Sequence, residues 1–386
     1  MGQVAGVAPG RGRRQATTVV TVRVLQVLGR SAGGIARHVA LLVREMDGQD
    51  GLEVDVAGPA DLPVVMPKPM HDVVIPDGPL LGHRKVIREL RRTIVEGKYQ
   101  VVHAHGLRAG IDAALAARRE GVSVLLTCHN LLRPDISGGF KARLYKWAEP
   151  LAVRLTSRTF AVSEDMKEHL QRVSGSSARK VETLYLGVGE SPRTVADASA
   201  VRADLGVGES RLVVTVSRLS AQKAVDVMLD AVARLPDDVC LAILGQGPAE
   251  AELRERAQGL GIDRRVLWLG WRNDVADVIA AADVFCLSSV WEGIPLAVQE
   301  AMLLGTPVVG TRVGGMPEIV EDGVSGRLVP MNDPARLAEA LTEVLLSPQT
   351  ATRYATQARE RLLDVFSTER MLATLTRAYV EAARAA

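Results

Sequence analysis

Glu292 and Glu300, with seven residues between them, bracket the segment Trp291-Glu292-Gly293-Ile294-Pro295-Leu296-Ala297-Val298-Gln299-Glu300. Pro295 suits the first turn of a helix, where a missing N–H costs nothing. Gly293 lets the backbone come close to a ligand. The N–H groups near Leu296 and Ala297, aligned with the helix dipole, form an anion site. Glu300 lies about one and a half turns further on, where a carboxylate can accept hydrogen bonds from both hydroxyls of a ribose. Glu292 stays on the loop, on the side where a sugar would project. Upstream, Arg218 follows the run LVVTVS and Lys223 comes five residues later. Two such cations can neutralise a diphosphate and stabilise charge developing on a leaving nucleotide, although surface charges at a helix start would look the same. Gly270-Trp271-Arg272 offers backbone contacts to a nucleobase, or Trp271 simply packs.

The first half carries a second set. Gly33 and Gly34 follow an apolar run and open a helix, so their backbone can approach a phosphate or a hydroxyl. With Gly29 they do not make the G-x-G-x-x-G pattern, which disfavours a nicotinamide or flavin dehydrogenase. His129, followed by Asn130, ends the run SVLLTC, a position for a group titrating near neutrality to orient a sugar or an acceptor. His103 and His105 alternate along VVHAH and share a face, with contact to an acceptor or a buried supporting role both open. With Asp112 they do not form a metal triad, and no Asp-x-Asp pair stands at a strand end. No metal ligand set and no cofactor is therefore expected.

The elements that hold these residues alternate β and α, which predicts parallel sheets. Runs such as Thr18–Leu28, Val101–His105, Arg211–Val216, Val239–Leu244 and Val284–Leu287 read as strands, each followed by an amphipathic segment. Residues 1–17 read as a flexible tail and 18–186 as one Rossmann-like unit. Residues 187–209 lose apolar periodicity and read as a linker, and 210–367 form a second unit. Phe140–Ser157 reads as one long helix. A last helix, 368–386, is expected to pack back on the first unit. Ligands bind beyond the carboxyl ends of the strands in such sheets, so two facing units make one cleft.

Composition narrows the function. The chain has 386 residues, 47% hydrophobic and 24% charged, which suits two globular domains. Aromatic residues make up 3%, too few for the stacking platforms of single-strand nucleic-acid binders. Three scattered cysteines suggest neither disulfides nor zinc. No secretory or membrane-spanning segment is evident, which predicts a cytoplasmic location. Residues 1–185 carry 27 Lys and Arg against 18 Asp and Glu, and residues 186–386 carry 20 against 27. The basic first half suits an anionic membrane surface or a phosphate-bearing acceptor. The segment FKARLYKWAEP mixes aromatic and basic residues in the manner of a peripheral membrane contact.

SAGGIARHV, LLTCHN, VSRLSAQKAVDVML and WEGIPLAVQEAM together resemble the retaining glycosyltransferases of family four, over nearly the whole chain after the tail. LYLGVGE and Ser288-Ser289 depart from the family's usual wording. The resemblance implies a GT-B fold, two Rossmann-like domains across a cleft, and metal-independent transfer with retention. It implies that Gly33 and Gly34 form the N-terminal glycine loop and that Arg218 and Lys223 clamp the donor diphosphate. Glu292 would lie near the sugar hydroxyls, Glu300 on the ribose, and His129 in the active site. The expected partners are a UDP- or GDP-linked sugar and an acceptor hydroxyl, on a glycan or a lipid-linked glycoconjugate. A nucleotide-sugar epimerase or a non-catalytic nucleotide-sugar-binding regulator are the alternatives.

Overall fold

The computed structural model describes residues 21–30, 34–62, 64–78, 81–131, 147–188 and 192–386. Each half is built on one parallel sheet. The first has β1 (Val22–Leu28), β2 (Leu52–Gly58), β3 (His71–Asp72), β4 (Val101–His105), β5 (Ser123–Cys128), β6 (Arg158–Ala161) and β7 (Val181–Thr183), in the order β3-β2-β1-β4-β5-β6-β7. The second has β8 (Arg211–Val216), β9 (Val239–Leu244), β10 (Val266–Gly270), β11 (Val284–Leu287), β12 (Val308–Thr311) and β13 (Arg327–Val329), in the order β10-β9-β8-β11-β12-β13. Both orders reverse direction beside their first strand, so each sheet has a switch point where loops part and a ligand can sit. The two crevices belong to β1 and β4 in one unit and to β8 and β11 in the other.

Burial explains the strand sequences. β1 is Val-Arg-Val-Leu-Gln-Val-Leu and is almost entirely covered, as a strand with helices on both faces must be. Helix Gly34–Met46 turns Val39, Leu42, Val43 and Met46 inward, at helical spacing. Cys128 and Cys286 are buried free thiols and Cys240 is half-buried.

The final helix, Thr368–Ala385, crosses back to the first unit and buries Met371, Leu375, Ala378 and Tyr379 against β1 and its neighbours. Ser367 caps it by accepting from the Arg370 N–H. The stretch 187–209 is not all linker. Ala198–Asp204 is a helix capped by Asp197, and Val201, Leu205 and Val207 pack into the second core. So short a helix shows one apolar pair four residues apart, too little for periodicity to reveal. The helix predicted from Phe140 is seen as Ala148–Leu155; residues 140–146 lie outside the described residues.

Candidate functional site

β8 and β11 deliver the second unit's functional residues to one crevice. Arg218, just past β8, is exposed, with no hydrogen bond or ion pair among the described residues. Lys223 closes the turn Ala221–Lys223 and places Nζ 2.6 Å from Glu292 Oε1. Ser289 Oγ donates to the same oxygen at 2.5 Å. Glu292 is buried, so its charge depends on these two partners. The loops are laced together. Gln222 Nε2 donates to Trp291 O, the Val290 N–H donates to Gln222 O, and Ser288 Oγ donates to the Lys223 and Ala224 carbonyls. Two glycines allow this closeness. Gly314 has φ +49°, and a Cβ there would lie 1.9 Å from Glu292 O. Gly245, at φ +127°, would place one 2.0 Å from Ser217 O.

Pro295 is the cap of helix Leu296–Leu304 rather than its first residue. The N–H groups of Leu296 and Ala297 therefore open the helix, without intrahelical acceptors. The start of this helix packs close to the first unit: a Cβ on Gly34 would sit 3.3 Å from Leu296 Cδ1. Gly33 lies outside the described residues. One turn along each helix, Arg37 Nη1 meets Glu300 Oε1 at 2.5 Å, an ion pair across the cleft. Burial raises the Glu300 carboxyl above its ordinary pKa, and Arg37 pulls the other way. Gly270 ends β10 at φ +62° beside Gln246, and Trp271 is exposed, not packed.

His129 is half-buried at the end of β5, with Asn130 exposed beside it. A Cβ on Gly293 would lie 3.2 Å from the His129 carbonyl, so the Glu292 loop and His129 are neighbours across the cleft. His103 and His105 are both buried, which favours the supporting role over acceptor contact of the two roles left open for them. The β1–β4 register sets Gln26 beside His103 and Leu28 beside His105. His103 Nδ1 meets Tyr379 Oη of the final helix, while His105 lies between Gln26 and His129. Burial pushes His103 down to about 3 and His38 to about 4, and holds His105 and His129 well below the ordinary histidine range. All four rings are neutral at pH 7. Nitrogens of His38, His105 and His129 lie within 4.8 Å of one another. Both His105 nitrogens are already hydrogen-bonded, while His38 Nε2 is buried without a partner. Asp112 pairs instead with His83 Nδ1, at 2.8 Å.

A cleft between two doubly wound units, lined by Arg218, Lys223 and a helix N-terminus and closed by two carboxylates, suits a nucleoside diphosphate. Known proteins resemble this chain over most of its length. The family described as Glycosyltransferase Family 4 matches residues 32–191, and that described as Glycosyl transferases group 1 matches residues 198–361. Alpha-maltose-1-phosphate synthase of Mycobacterium tuberculosis is 31% identical over 365 residues, covering 87% of this chain and 92% of that protein. The chain belongs to glycosyltransferase family 4. The enzyme also matches the UDP-Gal:alpha-D-GlcNAc-diphosphoundecaprenol alpha-1,3-galactosyltransferase of Escherichia coli, at 29% identity over 69% of this chain and 71% of the other. The crystal structure of Anabaena Alr3699/HepE in complex with UDP shares its fold, with a TM-score of 0.78 at 22% identity over 94% of this chain and all of that one. The protein is thus a GT-B glycosyltransferase that uses a nucleotide-sugar donor and an acceptor.

Several residues of the glycosyltransferase that shape its cleft are not evident from motif spacing. Arg37 is one turn beyond Gly34 on the same helix, a signal that helical geometry offers once Glu300 is placed opposite. Trp291 is buried among first-unit residues such as Cys128, Val162 and Met166, and its Nε1 donates to Asp165 Oδ2 at 3.4 Å. Glu318 reaches from the second unit to the start of helix Glu164–Ser174, accepting from the Glu164 N–H at 2.9 Å and the Asp165 N–H at 3.3 Å. A carboxylate at a helix N-terminus meets both free donors and dipole. Nothing local in the sequence points to that pairing, because the cap comes from 154 residues away.

Proposed function

We propose that the protein moves a sugar from a UDP- or GDP-linked donor to an acceptor hydroxyl with retention of configuration and without a metal ion. The observation that carries this reading is the crevice where the loops after β8 and β11 meet, with Lys223 held on Glu292, Arg218 just past β8, helix Leu296–Leu304 starting beside them and Glu300 paired with Arg37 across the cleft. In this reading Arg218, Lys223 and the Leu296 and Ala297 N–H groups hold the diphosphate, with the glycine loop at Gly33 and Gly34 covering it. Glu300 exchanges Arg37 for the ribose hydroxyls. Glu292 and His129 orient the donor sugar, Gly293 and Gly270 let the backbone close on it, and Asn130 lies on the acceptor side.

No side chain among the described residues is read as a covalent nucleophile, so in this reading transfer proceeds on the front face. The anomeric carbon's bond to the phosphate oxygen breaks and its electron pair stays with the phosphate. The acceptor oxygen bonds to the same face of that carbon, and its proton passes to the departing phosphate oxygen. Fixed cations and helix donors stabilise that phosphate without rearrangement, which is the main way such sites lower a barrier. The acceptor is a glycan or a lipid-linked glycoconjugate at the inner face of a membrane. Support comes from the Escherichia coli relative, whose name specifies a diphosphoundecaprenol acceptor, and from the exposed Trp147 and Leu151, one turn apart at the start of helix Ala148–Leu155.

Thermal unfolding against UDP, GDP, ADP, NAD and the matching nucleotide sugars, in EDTA, tests the donor site. A ligand at about 100 times its dissociation constant stabilises by roughly 2.7 kcal/mol. One nucleoside diphosphate should raise the melting temperature, and Glu300→Ala should abolish the rise. A response to NAD alone, or to none, would overturn the reading.

A further inference from the structure

A buried chain of hydrogen bonds runs from His129 to the final helix. His129 Nε2 lies 3.1 Å from His105 Nδ1, and His105 Nε2 lies 2.9 Å from Gln26 Oε1. Gln26 Nε2 donates to Tyr379 Oη at 3.0 Å, Tyr379 Oη lies 2.6 Å from His103 Nδ1, and His103 Nε2 lies 2.7 Å from Thr127 Oγ1. Gln26, His103, His105, Thr127 and Tyr379 are all buried, so each polar atom must find its partner within the chain.

The donors can be assigned in order. An amide oxygen only accepts, so His105 Nε2 carries a hydrogen and donates to Gln26. A neutral imidazole has one N–H, which leaves His105 Nδ1 bare. His129 Nε2 must then carry the hydrogen shared between the two rings. At the other end the amide nitrogen only donates, so Tyr379 accepts from Gln26 and gives its own hydrogen to His103 Nδ1. The separations agree. A 3.0 Å contact is ordinary for N–H to oxygen, and 2.6 Å is short even for a hydroxyl donor. Turning the amide over would reverse every donor and put the His129 hydrogen on Nδ1.

We infer that Gln26 and Tyr379 are positioning residues that set the tautomer of His129, holding its hydrogen on Nε2 and leaving Nδ1 as an acceptor toward the cleft. Nδ1 makes no hydrogen bond among the described residues, and the ring is partly exposed. It therefore offers a lone pair to a hydroxyl. That last step rests on the transferase reading; the tautomer does not. The final helix, 250 residues along the chain from His129, thus fixes a proton in the active site.

Long-range proton–nitrogen NMR of the full chain, labelled with nitrogen-15 histidine and assigned with His129→Gln, reads the tautomer without turnover. His129 should show a protonated Nε2 and a bare Nδ1. In Gln26→Met, and more weakly in Tyr379→Phe, its two nitrogens should move toward averaged values. Hydrolysis of UDP-glucose should fall by about tenfold or more in Gln26→Met, with UDP affinity unchanged. A wild-type His129 protonated on Nδ1, or a His129 signal unmoved by Gln26→Met, would overturn the inference. If Gln26→Met does not fold, the wild-type spectrum decides alone. A wild-type protein with the expected tautomer and no action on any nucleotide sugar would defeat the transferase reading and leave this one standing.

Discussion

In the proposed reading Lys223 carries two duties in the cleft. It neutralises the buried Glu292 at 2.6 Å, and as a three-donor ammonium it has N–H groups left for a phosphate. Removing it leaves a nearly enclosed carboxylate with, among the described residues, only the Ser289 hydroxyl. Lys223→Ala should lower stability by about 1–3 kcal/mol, the cost of stranding a polar group, and cut turnover by about 100- to 1000-fold, the usual loss of one transition-state donor. Calorimetry and initial rates with a saturating donor measure both. An active Lys223→Ala enzyme would remove Lys223 from the diphosphate clamp. Arg218 differs in kind: exposed and without an ion pair among the described residues, it has no structural bond to lose, so its substitution should touch turnover and not stability.

At the scale of elements, strand ends and the loops after them do the positioning. β8 and β11 are neighbours in the sheet, so the loops holding Lys223 and Glu292 leave it side by side. The turn at Gly314 presses against the Glu292 backbone from the next loop, and the Gly315 N–H donates to Glu292 O. Gly314→Ala meets two obstacles, a left-handed backbone and a Cβ 1.9 Å from that carbonyl. The Glu292 loop must shift, and turnover should drop more than about tenfold, since small misplacements of reacting groups cost heavily. Gly323→Ala is the comparison. Its φ of +76° carries the same backbone penalty, but nothing lies within 4 Å of the added Cβ. It should lose about 1 kcal/mol of stability and keep full turnover. Equal turnover losses in the two variants would show that crowding of Glu292 is not the cause.

The whole molecule is two units held face to face by Arg37–Glu300, by Glu318 at the cap of helix Glu164–Ser174, and by Trp291 buried in the first unit. No helix among the described residues is long and apolar enough to cross a membrane. Trp147 is 76% exposed and Leu151 42%, on the basic unit, where an anionic surface would gain both charge attraction and apolar insertion. The protein should sediment with vesicles rich in phosphatidylglycerol at low salt. Binding should fade as the screening length shrinks from about 10 Å at 0.1 M salt to 3 Å at 1 M, and Trp147→Ala should weaken it. No binding, or equal binding to neutral vesicles, would remove the membrane from the acceptor assignment.

Local sequence determined the strands, the helix starts and the candidate residues that stand at the ends of β8 and β11. Apolar β-branched runs, a Gly-x-Pro before a helix and cations just past a strand all act within a few residues of each other, so their spacing carries the chemistry directly. The alternation of strands and helices also predicted that both sheets are parallel, but not the order of their strands. The folded chain alone decided which groups meet over long separations. It paired Arg37 with Glu300 and Glu318 with a helix of the other unit, and it buried His103 under Tyr379 and His105 behind His129. Alternation along β4 showed that the two histidines share a face but not which face. That depends on where the last helix lands, and what holds it there is burial of its own apolar side against the first sheet.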